Sequence, residues 1–348
     1  MTLPIVWFCL IAVLWGGYFV LEGFDFGVGM LLGVVGRDAR ERSTVLDTIA
    51  PVWDGNEVWL VVAAGATFAA FPAWYATMFS GFYLALLLVL VLLIVRVVSF
   101  EWRERRDGAR WRGAWTRANT IASIGAPFVW GLALANLLHG VPLDGDGHFT
   151  GSLSDLISAY TVAGGLAAVA LFALHGATFL TLRLGGELRS RAGAAARALA
   201  IPCALIVIAF LAWTVVVATE RNARGVLGPA VPAVLTGAAL LAAAALVRGG
   251  RSGRAFVLTA VAAAGWIATL FTALYPRVLV SHPAFANSLT VSGAAAEHYA
   301  LVVITVVAAI FTPLVLAYQA WTYHVLRARV GSKPAQPAAE PRARARAG

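Results

Sequence analysis

Residues 78–99, MFSGFYLALLLVLVLLIVRVVS, carry a single charged side chain, Arg96, in 22 positions. A stretch of that length and apolarity matches the roughly 20 residues with which a helix crosses about 30 Å of hydrocarbon. Comparable stretches fall near 4–24, 56–72, 118–138, 159–182, 199–219, 229–247, 255–275 and 298–325. They predict an all-α integral membrane protein of about nine transmembrane helices, arranged as two four-helix bundles plus one helix. A soluble domain is excluded: hydrophobic residues make up 60% of the 348 positions and charged residues 12%, against about 25% charged in ordinary soluble domains. The span at 56–72 is the weakest, being short and closed by Phe71-Pro72. After the first span, FGVGMLLGVVG (26–36) reads either as its inward continuation or as a separate interfacial helix. Residues 1–331 form one polytopic membrane domain. Residues 332–348, SKPAQPAAEPRARARAG, read as a disordered basic cytoplasmic tail with nothing to bury.

The net charge of +9 rests on 25 Arg and one Lys, Lys333. A basic balance can indicate nucleic acid, but here the charges sit in connections between apolar spans, so no nucleic-acid partner is expected. The connections after spans one, three, five and seven, with the C-terminus, hold 22 of the 26 Lys and Arg; the other side holds Arg221, Arg224 and Arg277. Basic residues concentrate in cytoplasmic loops, so the N-terminus is expected outside and the C-terminus inside. The first span lacks a positive segment before it and a small-residue cleavage site after it, and reads as retained. Cys9 and Cys203 fall toward opposite faces, which argues against a disulfide between them.

This orientation gives a depth to each charge. Glu22 and Asp25 fall at the inner end of the first span, Asp54 and Glu57 at the first turn of the second, and Arg96 and Glu101 at the inner end of the third. An Asp or Arg at mid-bilayer costs roughly 2.5–3.5 kcal/mol on insertion scales, and charges retained there often line ion or proton paths. Glu22/Asp25 and Asp54/Glu57 are i,i+3 pairs, so each pair shares a helix face and the two faces suit a proton relay. The plainer readings are a helix capping box for Asp54-x-x-Glu57 and an interfacial Arg96–Glu101 pair. Glycines 23, 27, 29 and 33 permit close helix contact. They are not a nucleotide fingerprint, having no strand before them.

Only His175 lies well inside a span, and a lone His in a packed bundle more often hydrogen-bonds a neighbour than ligates haem. His139, His148 and His282 belong to outer loops, while His298 and His324 lie at the ends of the last span. No histidines stand at i,i+4 and no Cys-x-x-Cys-His occurs, so no cofactor or metal is expected to be held by this chain. Most of the 12 Trp, including Trp53, Trp59, Trp74, Trp102 and Trp321, read as interfacial anchors.

Several blocks carry a resemblance that composition cannot supply. EGFDFGVGML (22–31), APVWDGNEVWL (50–60) and residues 68–103 resemble the amino-terminal half of subunit II of the cytochrome bd quinol oxidases. LYPRVLVSHPAFANSLTVSGAAAEHYAL and PLVLAYQAWTYHVLR, within 274–327, are similar to its end; the middle, about 183–260, adds little. The resemblance implies a quinol:oxygen oxidoreductase of the bacterial cytoplasmic membrane that oxidises ubiquinol or menaquinol and reduces oxygen to water. It implies haem b and haem d on a partner, subunit I, and leaves room for small accessory subunits, lipids and a structural quinone. It also assigns the aspartate of WDGN, here Asp54, to cytoplasmic proton entry. Glu57, Asp25 and Glu22 are then candidate relay neighbours, while Arg96 and Glu101 are structural or electrostatic. The rival readings are a proton- or ion-coupled transporter, which would work without a haem-bearing partner, and a purely structural scaffold subunit.

Overall fold

The computed structural model describes residues 2–326 and 328–330; the expected tail at 332–348 lies outside them. The described residues form eleven α-helices: α1 Leu3–Val35, α2 Ala39–Leu46, α3 Trp53–Ala70, α4 Pro72–Gly81, α5 Tyr83–Trp102 and α6 Ala109–His139, then α7 Ala159–Arg183, α8 Gly186–Asn222, α9 Leu227–Arg248, α10 Ser252–Leu274 and α11 His298–Val325. Eight of them, α1 and α5 through α11, are long and apolar enough to cross a membrane. The span expected at 56–72 corresponds to α3. It has 18 residues, carries Asp54 and Glu57 in its opening turns, and gives way at Phe71 to α4, with Pro72 at the new helix start. Pro suits a first helical position, where its missing N–H has no helical partner to lose.

Helix α1 differs from the 4–24 expected. It runs unbroken to Val35, so FGVGMLLGVV continues the same helix, capped at Gly36, and is not a separate interfacial one. Glu22 and Asp25 are therefore not at its C-terminal end, where they were expected, since ten more residues, about 15 Å of helix, follow Asp25. The glycines weaken intrinsic helicity, but residues 22–32 are buried throughout, and that packing holds the segment. Gly27 meets Gly176 of α7 so closely that a Cβ on Gly27 would lie 2.1 Å from the Phe172 carbonyl oxygen. Gly131 of α6 and Gly164 of α7 make a second such crossing. Small residues of this kind let membrane helices pack backbone to backbone.

Helices α6 and α8 also start earlier than hydropathy indicates, at Ala109 and Gly186. Arg, Ala and Glu are good helix formers, so helix continues past the apolar segment into the basic connections. At this end Arg191 of α8 pairs with Glu41 of α2 through both carboxylate oxygens, one contact being 2.9 Å. That pair, with the Arg37 backbone N–H, holds the Glu41 carboxyl down to about 2. At the opposite end the two long connections are tied together, Val141 N–H donating to the Val280 carbonyl at 3.2 Å and Asn287 Nδ2 to the Leu143 carbonyl at 2.7 Å. A short antiparallel pair, β1 Arg277–Leu279 and β2 Leu289–Thr290, lies within the second of them. Cys9 is exposed, Cys203 is buried, and both are free.

Candidate functional site

Helix α1 places Glu22 and Asp25 one turn apart on a face enclosed by α3, α5 and α6, and both carboxylates are fully buried. Arg96 of α5, also fully buried, donates through Nη1 to Glu22 Oε1. Its guanidinium lies 4.9 Å from the Phe26 ring centroid and 5.5 Å from that of Phe100, a cation–π environment that offsets part of the lost hydration. Asn56 of α3 donates to Asp25 Oδ2 at 2.7 Å. The Asn56 carbonyl oxygen accepts from the Tyr323 hydroxyl of α11 at 2.7 Å and from Gln319 at 3.4 Å. Behind Arg96, Asn119 of α6 donates to Ser99 Oγ at 2.8 Å, and that hydroxyl donates to the Arg96 carbonyl at 2.5 Å. Glu22 Oε2, Asp25 Oδ1, Arg96 Nε and Arg96 Nη2 accept or donate no hydrogen bond within the described residues. Two carboxylates and one guanidinium thus share a low-dielectric volume with polar valence to spare.

The other sequence candidates are placed differently. Asp54 is exposed in the first turn of α3 and has no capping hydrogen bond; the N-cap is Val52, and the capping box does not form. Asn56, two residues on and about 200° around the helix, faces inward. Glu57 is half-buried and lies within electrostatic range of Glu22, Asp25 and Arg96. Glu101 is exposed, and the expected Arg96–Glu101 pair is replaced by Arg96–Glu22. The reason is register: Arg96 points into the bundle, and Glu101, five residues on, faces away from it. Asn56, Asn119, Tyr323 and Gln319 were not singled out from sequence. Asn56 sits inside the WDGN block, and a polar side chain opposite an exposed aspartate in an apolar helix was the available signal.

His175 Nδ1 lies 2.7 Å from Thr259 Oγ1 and Nε2 lies 3.0 Å from the Val20 carbonyl. With both ring nitrogens engaged, this deepest histidine does not fit a haem ligand. In the connection between α6 and α7, Asp144, Asp146 and His148 bring potential ligand atoms within 4.8 Å of one another. Asp144 Oδ1 accepts from the backbone N–H of Asp146 at 3.0 Å and of His148 at 2.8 Å, which accounts for the cluster as a turn. An apolar cavity of about 630 Å³ opens between α1, α3, α10 and α11, bordered by Gly16, Gly17, Trp59, Ala264, Leu316 and Tyr323.

Comparison with known proteins places this geometry in context. Residues 3–326 match the family model for cytochrome bd terminal oxidase subunit II. The chain is 39% identical over 329 residues to cytochrome bd ubiquinol oxidase subunit 2 of Bacillus subtilis, covering 94% of this chain and 97% of that one. It is 34% identical over 362 residues to cytochrome bd-I ubiquinol oxidase subunit 2 of Escherichia coli, covering 94% and 95%. The fold is similar to a chain of the bd oxidase from Geobacillus thermodenitrificans, with a TM-score of 0.72 at 19% identity over 94% of this chain and 99% of that one. The chain belongs to the cytochrome bd terminal oxidase subunit II family.

Proposed function

We propose that this chain is the haem-free subunit of a cytochrome bd-type quinol oxidase and lines its cytoplasmic proton supply. In that reading it crosses the bacterial cytoplasmic membrane nine times, α3 with its break at Pro72 supplying the crossing beyond the eight long apolar helices. The two four-helix bundles plus one helix then place the N-terminus outside and the C-terminus inside. Subunit I, as partner, carries haem b and haem d, which supply electron transfer from quinol to oxygen. Small accessory subunits can join this pair, and the cavity against Trp59 suits a structural quinone or a lipid chain.

The observation that carries the reading is the buried Glu22–Arg96 pair with Asp25 beside it. Buried charge is tolerated when compensated. Arg96 compensates one of the two carboxylates, so one shared proton makes the set neutral. Asp25, which faces the uncharged amide of Asn56, is the member assigned to carry that proton. Asp54 is the entry carboxylate, Glu57 the half-buried step one turn further along, and Glu22 with Arg96 the fixed pair that sets the field. Drawing protons from the cytoplasm for water formation, while quinol protons leave on the other side, separates charge without a pump.

A scaffold reading is favoured by one observation: Asp54 is exposed and has no hydrogen bond joining it to the buried set. Asp54→Asn and Asp25→Asn in the assembled oxidase separate the two. Proton supply predicts unchanged haem spectra with turnover lowered about a hundredfold or more, in keeping with the usual weight of proton-transfer groups. Normal turnover in both assembled variants would leave the scaffold.

A further inference from the structure

At the end of the molecule that carries the basic connections, a cavity of about 270 Å³ opens between α2, the end of α5 and the start of α6. Arg42, Arg103 and Arg112 line it, and Gly108 and Ala109 form its floor at the α6 N-terminus. The Arg103 side chain is 2% exposed, and its Nη atoms are held by Ser43 Oγ at 3.1 Å, the Ala39 carbonyl at 2.6 Å and Glu104 at 3.1 Å. Arg103 Nε and Arg112 Nε are both buried without a hydrogen bond, Arg112 Nε standing 3.9 Å from a Glu104 carboxylate oxygen. Helix α6 opens with no side-chain cap on Gly108, so its first N–H groups have no helical partners and carry the positive end of the helix dipole. Two arginines whose Nε makes no hydrogen bond and an uncapped helix start thus border one cavity. Two carboxylates oppose these arginines: Asp107, 98% exposed, lines the cavity and meets Arg112 at 2.7 Å, and Glu104, half exposed, stands 3.1 Å from Arg103 and 3.9 Å from Arg112.

We infer that this cavity binds a phosphate group, and that the phosphate is the headgroup of an anionic phospholipid. Phosphate matches the planar fork of arginine and the N–H groups of a helix start. Trp102, Trp111 and Trp115 form one aromatic cluster beside it, with ring centroids 5.8–6.4 Å apart. Tryptophans gather at headgroup depth, and basic pockets at the cytoplasmic ends of membrane helices take anionic headgroups. The bound phosphate displaces the exposed Asp107 carboxylate from Arg112 and accepts from Arg103 Nε and the α6 N–H groups. It thereby ties α2 to the α5–α6 connection.

Native mass spectrometry of the delipidated oxidase complex tests this, with dioleoyl phosphatidylglycerol, dioleoyl phosphatidylcholine and inorganic phosphate as probes. Two variants leave the fold intact. Gly108→Asp places a capping carboxylate where the phosphate would sit, in a backbone conformation any residue adopts and with its Cβ 3.7 Å from the nearest atom. Arg112→Gln removes a partly exposed guanidinium. Preferential retention of phosphatidylglycerol, lowered about tenfold by either variant, upholds the lipid site. Inorganic phosphate bound equally well and lost in the same variants would keep the phosphate site and overturn the lipid as its source. Retention unchanged in both variants, or no preference over phosphatidylcholine, overturns the site. The assay reads binding and not turnover, so it stands apart from the proton-path reading.

Discussion

The Glu22–Arg96 pair joins helices 74 residues apart in sequence with no exposure of either side chain. Removing one member of such a pair leaves an uncompensated buried charge, at a cost of about 3–5 kcal/mol, whereas removing both can be close to neutral. Arg96→Met alone is therefore expected to lower the thermal midpoint of the assembled oxidase by several degrees. Glu22→Gln combined with Arg96→Met should recover most of that loss. An equally deep drop in the double variant would show that Arg96 stabilises through Phe26 and Phe100 and not through the carboxylate. Much of this site was legible in the sequence, because a charge in an apolar run needs a partner and the i,i+3 spacing put Glu22 and Asp25 on one face. The choice of partner was not. Whether Arg96 turns toward Glu22 or Glu101 depends on the rotation of α5 against α1, and a uniformly apolar helix records that rotation only weakly. Asn56 was hidden for a related reason: neutral amides carry no charge signal, and only the helix rotation shows that it faces inward while Asp54 faces out.

At the scale of elements, hydropathy located the apolar segments and the bounds of α7 and α11, but not how far α1, α6 and α8 extend beyond the apolar stretch. Helix α1 extends past its expected limit because Gly27 and Gly176 let it pack closely on α7, a gain that no local propensity contains. Helix α2, residues 39–46, is the opposite case. Eight residues are too few to hold a helix alone, and it forms because Asp38 caps it, Val45 and Leu46 are buried, Arg103 grips the Ala39 carbonyl and Arg191 grips Glu41. The Glu41 carboxyl is held near 2 in the folded protein, against 4.5 ordinarily. A lowered value means that the stabilisation is complete above the ordinary range and is lost as pH falls toward the folded one. Amide exchange in residues 39–46, corrected for intrinsic rates, should therefore be unchanged from neutral pH down to about 5 and quicken between there and about 2. Glu41→Gln should exchange faster at neutral pH and show little further change over that window. Unaltered protection in this variant would assign the anchoring of α2 to Arg103 alone.

For the whole molecule, the distribution of arginines and the burial pattern constrain one another. Helix α11 buries only Leu301 and touches the rest chiefly through α3 and α1, including a 2.9 Å hydrogen bond from Trp7 to Thr305. Its apolar surface, with that of α5, is then a face for lipid or for the haem-bearing partner, and the proton reading requires the basic end of the bundle to be cytoplasmic. That orientation rests on the sequence count of 22 basic residues in alternate connections and the C-terminus against three in the others, a bias that membrane insertion reads directly. It can be measured with single cysteines in a background where Cys9 and Cys203 are Ala. Gly145→Cys lies in the exposed Asp144–His148 turn, with open space around its Cβ position. Ser190→Cys is a near-isosteric change at an exposed site early in α8. A membrane-impermeant maleimide added to intact spheroplasts should label Gly145→Cys and spare Ser190→Cys until the membrane is opened. The reverse pattern would turn the molecule over, put Asp54 at the outer end of its helix, and remove the cytoplasmic proton entry while leaving the buried Glu22–Arg96–Asp25 set as a structural feature.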